Sequence, residues 1–128
     1  MSMLKITAAA SCFPTEDREK VHRAILNILP DAQLEDGERS VTGRSGSGDA
    51  LREMIHDQHI RDTARSVMLR GVQGSATRFM LNKQAALMGK ASFLDGPVAL
   101  GGIEVTVEAD DIQDAIDHLA ESTVEGLE

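Results

Sequence analysis

The chain has 128 residues, 41% of them hydrophobic but only 2% aromatic, and a formal charge of −8. That length suits a single domain over residues 1–128 with an aliphatic core. With Phe13, Phe79 and Phe93 as the only aromatics, a base-stacking platform would have to use Phe, His or Arg planes, and the overall charge disfavours loose attraction to nucleic acid or an anionic membrane.

Cys12 is the single cysteine, which rules out an intramolecular disulfide and points to a reduced, cytoplasmic setting. No apolar run approaches the roughly twenty residues of a membrane span. The opening stretch has a superficial likeness to a secretion signal, but Lys5 interrupts its short apolar run. A buried strand explains it better.

In chain order, Met3–Phe13 alternates as a strand and Pro14-Thr15 ends it. Thr15 is the expected N-cap of a helix, with Glu16 and Asp17 at the positive end of its dipole. Val21, Ala24, Ile25, Ile28 and Leu29 form its apolar face, and Pro30 stops it. Two short strands, Ala32–Glu35 and Glu38–Thr42, are expected around an Asp36-Gly37 turn, followed by a flexible Gly43–Gly48 connector.

Between Asp49 and Arg70 the apolar face changes sides. Leu51, Met54 and Ile55 share one face; Ile60, Ala64, Val67 and Met68 share another. This predicts two helices with a break near Gln58 or His59. Thr77, Phe79 and Leu81 alternate as a strand, and Ala85–Phe93 is expected to pair back on it as a hairpin. Asp95-Gly96-Pro97 marks a turn. Ile103, Val105 and Val107 make the clearest strand. A last helix begins at an Asp110 cap with Gln113 three residues on, and buries Ile112, Ala115, Ile116, Leu119 and Ala120. The tail from Glu121 is expected to be loose. The order β-α-β-β-α-α-β-β-β-α describes an α+β fold, a mostly antiparallel sheet with helices packed on one face.

The charge is unevenly distributed. Thr63–Leu94 contains five cations (Arg65, Arg70, Arg78, Lys83, Lys90) and no acid, whereas the rest carries eight cations against twenty-one acids. A solvated hairpin presenting Arg78, Asn82, Lys83, Gln84 and Lys90, extended by Arg65 and Arg70, would offer cations for phosphates and amides for base edges or sugar hydroxyls. The plainer reading is that these cations pair with acids from elsewhere in the fold.

Other constellations carry less. His56 and His59 with Glu53 have a spacing that suits a metal on one helix face, but they straddle the expected break and no second ligand cluster appears; a solvated surface accounts for them. Asp110, Asp111, Asp114 and Asp117 read as a solvated acidic face before a cation site. Gly43–Gly48 lacks the Lys-Ser or Lys-Thr of a P-loop, and no nucleophile motif is visible. No metal, cofactor or catalysis is expected.

Four segments occur in an order that is itself informative. They are Pro14-Thr15-Glu16-Asp17, Ile60-Arg61-Asp62-Thr63-Ala64-Arg65, Asn82-Lys83-Gln84-Ala85-Ala86 with Gly89-Lys90, and Leu100-Gly101-Gly102-Ile103. Over nearly the whole chain they resemble an archaeal group of small proteins, uncharacterised protein family two-zero-one. The resemblance implies a fold similar to ribosomal protein L five and an RNA-binding label, with Asn82, Lys83, Gln84, Gly89 and Lys90 as matching positions in the hairpin. The expectation is a non-enzymatic domain that contacts RNA through that hairpin. The alternative is a protein-interaction module or homodimer joined through a strand edge or through Ala85–Met88.

Overall fold

The computed structural model describes residues 4–94 and 102–120. Its elements are β1 (Leu4–Ser11), α1 (Arg18–Ile28), β2 (Gln33–Asp36), β3 (Ser40–Ser45), α2 (Asp49–Asp57), α3 (Arg61–Arg70), β4 (Val72–Gln73), β5 (Ala76–Asn82), α4 (Lys83–Leu87), β6 (Phe93–Leu94), β7 (Gly102–Ala109) and α5 (Ile112–Leu119). Among the described residues the strands form one sheet, in the order β2-β3-β1-β7-β5-β4 with β6 also beside β5. Every pairing is antiparallel.

The alternation expected from the sequence decides which face of the sheet is dry. Ile6, Ala8 and Ala10 of β1, Phe79 and Leu81 of β5, and Ile103, Val105 and Val107 of β7 are buried beneath the helices. Their neighbours Lys5, Arg78, Glu104 and Glu108 are exposed on the opposite face. The period of two thus separates a core side from a solvated side, as in antiparallel sheets covered on one side only. Val21, Ala24, Ile25 and Ile28 of α1 and Ile112, Ile116 and Leu119 of α5 complete an aliphatic core.

The helix break lies where the switch of apolar faces requires it. Gln58 caps α2, and His59 adopts φ 57, a left-handed conformation that stops the helix and redirects the chain into α3. Leu51 and Ile55 of α2, and Ala64 and Met68 of α3, can then all reach the core.

Four local expectations are corrected. Asp17, not Thr15, is the N-cap of α1; its carboxylate accepts from the Glu19 amide at 3.0 Å. Asp111, not Asp110, caps α5 and accepts from Asp114 N at 3.1 Å. Gly43 to Ser45 belong to β3, in register with Ala8, Thr7 and Ile6 of β1. Gly43 is there because α1 lies directly over it: a Cβ at this position would sit 2.7 Å from Ile25 Cγ2. The largest change is at Ala85–Phe93, which is not a returning strand. Lys83–Leu87 forms a short helix and only Phe93–Leu94 pairs with β5, so the predicted order lacked both α4 and β4. The Asp95-Gly96-Pro97 turn and the tail from Glu121 lie outside the described residues.

Candidate nucleic-acid interface

The acid-free window runs from α3 through β4, β5 and α4 to β6, and its five cations have two different fates. Arg65 is held internally, with Nη1 2.6 Å from Asp117 Oδ1 and 3.2 Å from the Ala120 carbonyl, tying α3 to α5. Lys83 is buried at 7% exposure. Its ammonium donates to the Ser11 carbonyl at 2.8 Å and to the Glu16 carboxylate at 2.9 and 3.1 Å. Arg70, Arg78 and Lys90 are exposed, and none of them makes an ion pair with a described residue.

The expected basic hairpin is therefore replaced by a helical arch. Asn82 is not a solvated amide: its Oδ1 caps α4 by accepting from Ala85 N at 2.9 Å. Gln84 is exposed on α4. The arch ends in a Schellman turn: Lys90 N donates to Ala85 O at 2.8 Å, Gly89 N to Ala86 O at 3.0 Å, and Gly89 has φ 79. A left-handed residue is required there, and glycine adopts it without a Cβ clash.

Distant side chains hold this arch in place. Asn27 of α1 donates to the Ala86 and Leu87 carbonyls at 2.9 and 3.1 Å. Gln58 uses both ends of its amide on Ala91, donating to its carbonyl at 3.0 Å and accepting from its N–H at 2.8 Å. Sequence reasoning missed both clamps, and also the Glu16–Lys83 pair. Their partners lie 33 to 67 positions apart, beyond the reach of any local pattern.

Burial alone would raise the pKa of the Glu16 carboxyl. The Phe13 amide and the hydrogen bond and charge of Lys83 outweigh it and hold the carboxyl below its ordinary value. Glu16 therefore stays ionised opposite Lys83, and the segments Pro14–Asp17 and Asn82–Ala86 meet at this pair.

The three remaining exposed cations belong to segments that adjoin β5. β7 occupies one side of β5 throughout Ala76–Asn82, so β4 and β6 both lie along its other side. Arg78 is on β5, with its N–H donating to Gly71 O directly after Arg70, the last residue of α3. Lys90 precedes β6, whose neighbour Ser92 accepts from Asn82 N. Towards the middle of the open face the charge is mixed. Glu104 and Glu108 of β7 flank Thr106, the residue paired with Arg78. Lys5 of β1 lies opposite Glu108 on the same face, so the centre of the sheet carries both signs of charge.

The other proposed chemistry finds no assembled site. His59 lies beyond the end of α2, so helical spacing no longer aligns it with His56 and Glu53. Among the described residues no group of three His, Cys, Asp or Glu converges as metal ligands. Cys12 is free and buried. No described helix is long and apolar enough to cross a membrane.

A one-sided antiparallel sheet under an aliphatic helix layer makes this a small α+β domain. Residues 5–109 match the family model described as RNA binding. The chain belongs to the archaeal UPF0201 family: it is 41% identical to a UPF0201 protein of Methanothermobacter thermautotrophicus over 92% of each chain. Two crystal structures agree. One, of an uncharacterized UPF0201 protein, superposes with a TM-score of 0.86 at 38% identity, covering 93% of this chain and 94% of that one. The other, a UPF0201 protein from Methanococcus jannaschii, gives 0.82 at 38% identity with the same coverage.

Proposed function

We propose that this chain is a single, non-enzymatic, cytoplasmic domain with a fold like that of ribosomal protein L five, and that it contacts RNA along the β5 margin. The contact residues are Arg70, Arg78 and Lys90, with the Gln84 amide alongside. One observation carries this reading: these three cations are exposed, make no ion pair among the described residues, and lie in segments that adjoin β5, with Arg70 before β4, Arg78 on β5 and Lys90 before β6. The description of the family model supports the same class of ligand. Arg65, Asn82 and Lys83 act behind this margin, as supports of the arch and of α3. With no aromatic on the open face, recognition runs through phosphates and sugar hydroxyls before bases.

The test is a titration of the purified chain against a structured RNA hairpin and a single strand of equal length at low salt. Three phosphate contacts give a slope of log affinity on log salt of roughly −2 to −3. Replacing Arg70, Arg78 and Lys90 together by Ala is expected to abolish binding. Absence of affinity at low salt, or an unchanged affinity in the triple variant, makes the reading wrong.

A second reading, a protein-interaction module or homodimer, is favoured by one feature. In the apolar segment Ala85–Met88, Ala86 is buried but Met88 is 76% exposed. Its first test is the mass in solution.

A further inference from the structure

Met88 is the most exposed large hydrophobic residue among those described, and it stands at the tip of the arch beside Lys90. The tip is held rigid from three sides: Asn27 on the carbonyls before it, the Schellman turn within it, and Gln58 on Ala91 after it. A large apolar side chain that is held this firmly and left in water is prepared for contact, because little further ordering entropy is lost on docking.

The molecule carries a surface of matching character. A cleft of about 460 Å³ is lined by Leu4, Ala109 and Ala115 together with Asp111, Asp114, Asp117 and His118, so its wall is part apolar and part acidic. Arg65 holds Asp117, whereas the Asp114 side chain is exposed and makes no ion pair among the described residues. An apolar knob beside a cation meets in this cleft an apolar strip beside an exposed carboxylate, so the two surfaces are complementary in charge and share apolar contact.

A chain cannot join its own two surfaces. Leu4 pairs with Ala109 at one end of the sheet, whereas Asn82, which leads into the arch, pairs with Gly102 at the other. Seven residue steps of β7 separate them, ~23 Å. We infer that the Met88–Lys90 tip docks in the Leu4–Ala109–Asp114 cleft of a second copy of this chain. Two copies lying side by side in opposite directions make the contact twice, which closes the pair about a two-fold axis. Each contact is small, so the association is weak and depends on concentration. Met88 carries no charge and is not part of the proposed phosphate margin, so a neutral change at Met88 separates this proposal from RNA contact.

The experiment is sedimentation equilibrium of the full chain over a wide concentration range. The folded state of each variant is checked by circular dichroism, which an exposed substitution leaves unchanged. The wild-type chain is expected to shift from monomer to dimer. Met88→Ser moves that transition to concentrations at least about tenfold higher and leaves RNA affinity as it was. Lys90→Glu and Asp114→Lys each weaken the dimer, and the two together restore part of it. The proposal is overturned by a monomer at every concentration, the cleft then being left to another protein or to the chain's own ends. A dimer indifferent to Met88→Ser, or a double variant no better than the sum of its parts, overturns it equally.

Discussion

At the scale of single residues, the Glu16–Lys83 pair bears most on stability. It joins the end of β1, the approach to α1 and the start of α4 through one buried ammonium with all its donors engaged. Lys83→Ala leaves Glu16 partly buried without its counter-charge and is expected to cost on the order of 2 kcal/mol. That is below the value for a fully enclosed pair, because Glu16 keeps 25% of its side chain in solvent. Replacing both partners, Glu16→Leu with Lys83→Met, is expected to cost less than the two single changes summed; urea melts of the four proteins measure the difference. The pair also gives stability a pH dependence. Folding depresses the Glu16 pKa, so the unfolded chain takes up a proton first on acidification. The contribution is complete above the ordinary carboxylate pKa and is lost as pH falls through the lower folded value. Glu16→Gln should flatten the acid limb of a stability profile in that window.

At the scale of elements, two glycines have separate physical reasons. Gly43 lies in β3 beneath Ile25, Leu34 and Ala32, so Gly43→Val overpacks the α1–β3 contact and is expected to cost about 1–3 kcal/mol in thermal or urea unfolding. Gly89 faces open space, and only its φ of 79 matters; Gly89→Ala is expected to cost about 1 kcal/mol. The arch adds a dynamic prediction. Gln58→Ala removes the partner of the Ala91 amide, and hydrogen exchange at that amide should accelerate while exchange in β7 stays slow. Such a result would show that the arch opens separately from the sheet.

At the scale of the whole molecule, the charge map governs what the protein can approach. The body is acidic, and Arg70, Arg78 and Lys90 are exposed without an ion pair to a described residue, which makes them the groups proposed to meet an anion. The same map makes the Met88–Lys90 tip and the Asp114 cleft attract. Raising the salt concentration is therefore expected to weaken both RNA contact and self-association, as titration and sedimentation at two ionic strengths would show.

Local chemistry made much of this legible in advance. The period of two in β1, β5 and β7 identified the inward side chains, the period of 3.6 identified the faces of α1 and α5, and the phase change between Ile55 and Ile60 located the α2–α3 break. Each of these signals compares residues within a few positions of one another, and burial of an apolar face is cooperative over that range. The caps were each misplaced, by two positions at α1 and one at α5, because neighbouring Thr, Glu and Asp side chains compete for the same amides. The sequence predicts a strand over Ala85–Phe93 because the four residues Ala-Ala-Leu-Met at its start carry no decisive period. Lys83–Leu87 is helical because Asn82 caps it, Asn27 holds its Ala86 and Leu87 carbonyls, and Lys83 turns inward to Glu16.

The acid-free composition of Thr63–Leu94 is a property of the sequence alone; which of its cations face outward is not. Arg65 and Lys83 were withdrawn by Asp117 and Glu16, carboxylates 52 and 67 positions away, and only folding brings those pairs within hydrogen-bonding distance. Sequence by itself determined the class of fold, the buried faces and the region of positive charge, since these follow from local periodicity and composition. Tertiary structure alone decided which charges remain free and where they point, since an ion pair depends on separation in space and not along the chain.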